Sequence, residues 1–109
     1  MKIELLYVPG CPNHASAVET VKDVLREQSI SHDIIQIAVV DPSQAASLFF
    51  PGSPTVRVDG KDVEPGFNES GHGGLSCRVY FLDGKRHGVP QREWIDRAIR
   101  LAGMAADKQ

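Results

Sequence analysis

Only two cysteines occur in this chain of 109 residues, Cys11 and Cys77. That is too few to staple a small secreted scaffold. No stretch approaches the roughly 18 consecutive apolar residues of a membrane-spanning helix. Ile3 to Val8 is too short for the apolar region of a signal peptide, and Glu4 interrupts it. A cytoplasmic location with free thiols is therefore expected. The net charge of −2 is too small to point to nucleic acid or a membrane surface, so neither is expected as a partner. With 41% hydrophobic and 24% charged residues, the composition is that of an ordinary globular protein. The length suits one domain. Residues 1–103 are expected to form it, with 104–109 as a frayed tail.

Hydrophobic spacing supplies the elements. Ile3 to Val8 is a short apolar run ended by Pro9-Gly10, the pattern of a buried strand. Ala17, Val18, Val21, Val24 and Leu25 then recur at spacings of three and four, giving a helix with one apolar face up to about Gln28. Pro12 suits its first turn, where a missing N–H costs nothing. Ile34 to Val40 is apolar at most positions, as in a strand covered on both sides. Asp41-Pro42 opens a short helix through Phe49, and Pro51-Gly52 stops it.

The second half has a different pattern. Thr55 to Val58 alternates into Asp59-Gly60, a favoured hairpin turn. Glu64 to Leu75 is glycine-rich and reads as a loop, and Cys77 to Leu82 reads as the fourth strand. Asp83-Gly84 turns the chain. Pro90 opens a last helix with Trp94, Ile95, Ala98, Ile99 and Ala102 on its apolar face. The order β-α-β-α-β-β-α predicts an α/β fold: a mixed four-stranded sheet with helices on both faces.

Two local signals carry a resemblance to the thioredoxin-like superfamily. One is Tyr7-Val8-Pro9-Gly10-Cys11-Pro12-Asn13-His14, a cysteine between the first strand and the first helix. The other is Gly52-Ser53-Pro54-Thr55 leading into the third strand, which resembles the family's cis-proline loop. Dithiol members carry Cys-x-x-Cys, whereas this chain has His14 at the fourth position, so it resembles a single-thiol member. The Gly52 to Val58 and Leu75 to Tyr80 runs resemble small bacterial members labelled alkylmercury-lyase-like, a hint of thiol affinity for soft metals. The resemblance implies a cis bond at Ser53-Pro54, Pro54 packed beside Cys11, and a Ser53 backbone that binds an extended substrate. Pro12, Ser53, Pro54 and Thr55 are the substrate-binding residues it implies.

The chemistry centres on Cys11. A cysteine opening a helix meets unpaired backbone N–H groups and a partial positive charge, both of which favour thiolate. Thiolates attack disulfides and bind soft metals. The plainer alternative for any free cysteine is a small buried hydrophobe. One helical turn on, His14 is placed to share the catalytic role, as a cation favouring the thiolate, a proton acceptor or a metal co-ligand. Its plainer alternative is a polar residue facing water. In the expected register the fourth strand begins at the far end of the third, about 13–16 Å from Cys11. That exceeds the roughly 7 Å between Cα atoms that a disulfide allows. On that register Cys77 cannot resolve a mixed disulfide on Cys11 and is read as structural; the alternative is that the glycine-rich loop folds back and shifts the register.

The histidines at 14, 32, 72 and 87 lack metal-ligand spacing, and Gly71-His72-Gly73-Gly74 lacks the strand–loop–helix context of a phosphate loop. Arg57 and Arg78 lie on adjacent strands of this scheme, as an anion site or as two solvent-facing cations. No cofactor is expected. Three functions follow: a single-thiol oxidoreductase acting on protein or small-molecule disulfides with an external thiol reductant; a soft-metal binder using Cys11 with His14 or Cys77; or an interaction module without thiol chemistry.

Overall fold

The computed structural model describes residues 1–67 and 75–107. Strand β1 (Ile3–Tyr7) is the centre of the sheet. It pairs in parallel with β2 (Ile35–Ala38), reached through helix α1 (His14–Glu27). On its other side it pairs antiparallel with β3 (Thr55–Val58), reached through helix α2 (Pro42–Ser47). Beyond β3 lies β4 (Lys61–Asp62), giving the mixed order β2-β1-β3-β4. A separate antiparallel ribbon, β5 (Tyr80–Leu82) with β6 (Lys85–His87), precedes helix α3 (Arg92–Asp107).

Alternation along β1 divides the core. Ile3 and Leu5 pack with Val56, Val58, Ala17, Val21, Ile95 and Ile99, so α1 and α3 cover one face. Leu6 turns the other way, to Val39, Phe50 and Ala45 of α2. The tight β3–β4 turn at Asp59-Gly60 has φ of 52° and 81°, and Asp83-Gly84 has 52° and 75°. Two successive positive values are what two-residue hairpins demand. Among the described residues no helix is long and apolar enough to cross a membrane.

The structure corrects the sequence reading at several points. The fourth strand of the sheet is Lys61–Asp62, directly after the turn, and not Cys77–Leu82. Residues 80–82 pair with β6 instead, and Cys77 makes an isolated parallel bridge with Ser53. Helix α1 starts at His14 with Asn13 as its N-cap, so Cys11 and Pro12 precede it. Gly71-His72-Gly73-Gly74 and residues 108–109 lie outside the described residues.

Candidate functional site

The C-terminal end of β1 gathers the cysteines. The Cys11 N–H donates to the Val8 carbonyl at 3.0 Å, closing a turn with Pro9 and Gly10 at its centre. Gly10 has φ of 85°, so Pro followed by a positive-φ glycine gives the pattern of a type II turn. Cys11 is half-buried and free, while Pro12 is exposed. Asn13 makes no capping hydrogen bond to α1, and no acidic residue lies in that helix's first turn. Its side-chain amide packs so closely on Gly88 that a Cβ there would collide with it. The positive end of α1 thus has no compensating acidic side chain in its first turn, and Cys11 stands on the turn leading into it.

His14 is not paired with the thiol. Its ring stacks on Tyr7 at 3.7 Å with 6° between planes, and Nε2 meets Gln36 Oε1 at 2.7 Å. The helical offset expected to align residues 11 and 14 requires both to be in the helix, and Cys11 lies in the preceding turn.

Beside this turn runs the segment Gly52-Ser53-Pro54-Thr55, whose Ser53–Pro54 peptide bond is cis. All four residues are buried. The Ser53 hydroxyl accepts from the Val8 N–H at 3.0 Å, so it ties this segment to the first residue of the Cys11 turn. The Ser53 N–H donates to the Ser76 carbonyl and its carbonyl accepts from the Arg78 N–H, each at 2.9 Å. This corrects the expected role of Ser53: its backbone groups are bonded to the chain's own residues 76–78, and they are not free for an extended substrate.

Holding that segment is an ion cluster with no precursor in the sequence pattern. Arg78 is buried and donates to Asp62 at 2.6 and 3.2 Å, to Glu64 at 3.0 Å and to the Thr55 hydroxyl at 3.1 Å. Its guanidinium lies 4.3 Å from the ring centroids of both Phe67 and Tyr80. Burial works against the charge, but the bond to Asp62, the Tyr80 phenol and the bond to Glu64 outweigh it, holding the guanidinium above its ordinary value. Arg57 donates to the Leu48 and Phe49 carbonyls at the end of α2, at 2.9 and 3.1 Å. The two arginines therefore hold protein groups, and neither faces solvent as a free cation nor joins the other in an anion site.

Tyr80 is fully buried and donates to the Pro54 carbonyl at 2.6 Å. Burial, the largest influence, raises its phenol, Arg78 opposes this, and Asp62 and Glu64 add to it. The unfolded chain releases that proton near pH 10, whereas the folded chain holds it to higher pH. The folded state therefore has its full advantage below about pH 10 and loses it as the pH rises further. Urea midpoints measured from pH 7 to 12 should fall above pH 10 in the parent chain. The fall should be shallower in Tyr80→Phe, which starts about 1–3 kcal/mol less stable because the buried Pro54 carbonyl loses its donor.

No three His, Cys, Asp or Glu side chains among the described residues converge as a metal site, so Cys11, His14 and Cys77 do not form the trio considered above. A groove of about 370 Å³ lies between the β3–β4 hairpin and α3, lined by Val58, Lys61, Glu64, Trp94, Arg97 and Leu101, and contains neither cysteine. Comparison of the chain with protein-family models, with curated proteins and with solved structures finds no match.

Proposed function

We propose that this chain is a thioredoxin-like, single-thiol oxidoreductase of the cytoplasm. Cys11 exchanges with protein or glutathione mixed disulfides, and an external thiol completes the cycle. The observation that carries this reading is the position of a free, half-buried thiol past the carboxyl end of the central strand. In open α/β sheets that end is where ligands are received. The strand order β2-β1-β3-β4, with α1 following the cysteine, supports the same reading. Pro12 is the exposed neighbour of Cys11 that a substrate meets, and Pro54 and Thr55 follow Ser53, whose hydroxyl bonds to the first residue of the turn.

The test is reduction of a glutathione mixed disulfide on a model peptide, coupled to external glutathione. The parent chain should turn over, and Cys11→Ser should lose at least about a hundredfold in rate, because the nucleophile itself is removed. Equal rates in the two proteins would sink the reading. His14→Ala should change the rate less than tenfold, since its Nε2 is directed to Gln36.

A second reading, sequestration of a soft metal ion as cargo, is favoured by one observation. Cys77 lies at the Cys11 end of the sheet, bridged to Ser53, and thiolates select soft ions. Stoichiometric mercury(II) uptake without disulfide turnover would replace the first reading with this one.

A further inference from the structure

We infer that Cys77 is the resolving thiol for Cys11, which rests on the exchange reading above and extends it from one thiol to two. The expected register put the two cysteines at opposite ends of the sheet, and the structure removes that separation. Cys77 stands directly opposite Ser53 in a parallel bridge. Ser53 in turn bonds through its hydroxyl to Val8, where the Cys11 turn begins. Neighbouring strands lie about 4.8 Å apart, so Cys77 is one spacing from Ser53 and about two, ~10 Å, from Val8. Residues opposite each other in a ladder project their side chains to the same face. Cys77 therefore points to the face from which the Ser53 hydroxyl reaches Val8.

Three features make this juxtaposition usable. Cys77 is exposed and Cys11 half-buried, both as free thiols. The neighbour of Cys77, Arg78, is fixed by Asp62, Glu64 and Thr55, so the segment is anchored. The Cys11 turn has room to move: Pro9 and Gly10 are exposed, and a Cβ at Gly10 would meet nothing within 4 Å. Cys11 follows Val8 by three residues and is tied back to it by the 3.0 Å bond from its N–H to the Val8 carbonyl, so the remaining approach to the ~7 Å of a disulfide falls on that turn.

The chemistry balances with glutathione disulfide as oxidant. The Cys11 thiolate attacks one of its sulfurs, the glutathione S–S bond breaks, and one glutathione leaves with the electron pair. The Cys77 thiolate then attacks the Cys11 sulfur of the mixed disulfide and expels the second glutathione. Two protein thiols are oxidised to a Cys11–Cys77 disulfide, one glutathione disulfide is reduced to two thiols, and the two protein protons pass to them. External dithiol or glutathione reverses the sequence.

The test incubates reduced parent chain and Cys77→Ser with glutathione disulfide, quenches with acid at intervals, and reads intact mass and digested peptides. The parent should lose two hydrogens and yield a linked Cys11–Cys77 peptide. Cys77→Ser should retain one glutathione on Cys11, for at least about tenfold longer, because a tethered thiol acts at an effective concentration of order mM. A matching thermal melt for the two proteins shows that the variant is folded. Glutathione retained equally long on Cys11 in both would overturn the resolving role and leave Cys11 as a reactive single thiol. Absence of glutathione from Cys11 in both, with no linked peptide in the parent, would overturn the exchange reading and this one together.

Discussion

Replacing Arg78 with methionine should destabilise the fold by about 3–5 kcal/mol, the cost of leaving a buried charge without its partner. The side chains of Arg78 and Asp62 are only 5% and 2% exposed. Methionine fills much of the arginine's volume, so the loss isolates the charge and not a cavity. What remains among the described residues is a buried Asp62 carboxylate with one bond, from the Glu64 N–H at 2.9 Å. Against the 5–15 kcal/mol of a typical domain, this is a large fraction. Urea denaturation should show a lower midpoint with an unchanged slope. The Arg78→Met/Asp62→Asn double variant should cost about 1–3 kcal/mol less than the sum of the two single changes, since each single change strands the other group. Simple additivity would mean that the pair is not coupled as its geometry implies.

Gly52→Ala should be comparably damaging, at about 2–6 kcal/mol. Two effects add. Gly52 has φ of 134°, a conformation that side chains avoid at roughly 1–3 kcal/mol. Its Cβ would stand 2.9 Å from Arg78 Cβ and 3.1 Å from Arg78 Cα and N. Two of those three atoms are backbone, so the Arg78 segment itself must shift, at an overpacking cost of about 1–3 kcal/mol. Gly84 is the internal control: its φ is 75°, but a Cβ there meets nothing within 4 Å. Gly84→Ala should therefore cost only about 1 kcal/mol, from backbone conformation alone. Paired thermal melts decide the matter. Equal losses at the two positions would show that the contact between Gly52 and Arg78 is not tight.

The sequence disclosed those parts of the fold whose signals are local. Val18, Val21 and Leu25 mark α1 by their spacing, and Ile3 to Tyr7 marks β1 by its apolar run. The fourth strand escaped because Lys61–Asp62 is two charged residues long, with no period to read. Its identity comes from the turn before it and from β3 beside it. Cys77 was misplaced for a related reason. Ser76 to Arg78 joins Ser53 across more than twenty residues in a parallel sense, and no periodicity within the segment records a partner. Arg78 looked like a solvent-facing cation, as isolated arginines usually are. Only the three-dimensional convergence of Asp62, Glu64, Thr55 and two aromatic rings turns it into a buried anchor. At Cys11, Pro12 suggested the first helical turn, whereas Asn13 takes the N-cap, a position its residue type suits.

The bridge between Ser53 and Cys77 also bears on which molecules can approach the Cys11 turn. An extended polypeptide that docks by adding a strand needs a row of free backbone donors and acceptors. At Ser53 both are already taken by a segment of the same chain. Such a newcomer competes against a tethered rival whose effective concentration is of order mM, and this penalises it before any contact of its own is counted. A compact ligand that needs no strand pairing escapes the competition. Under the exchange proposed above, short, flexible molecules are therefore expected to react at Cys11 faster than polypeptides that must first pair as a strand.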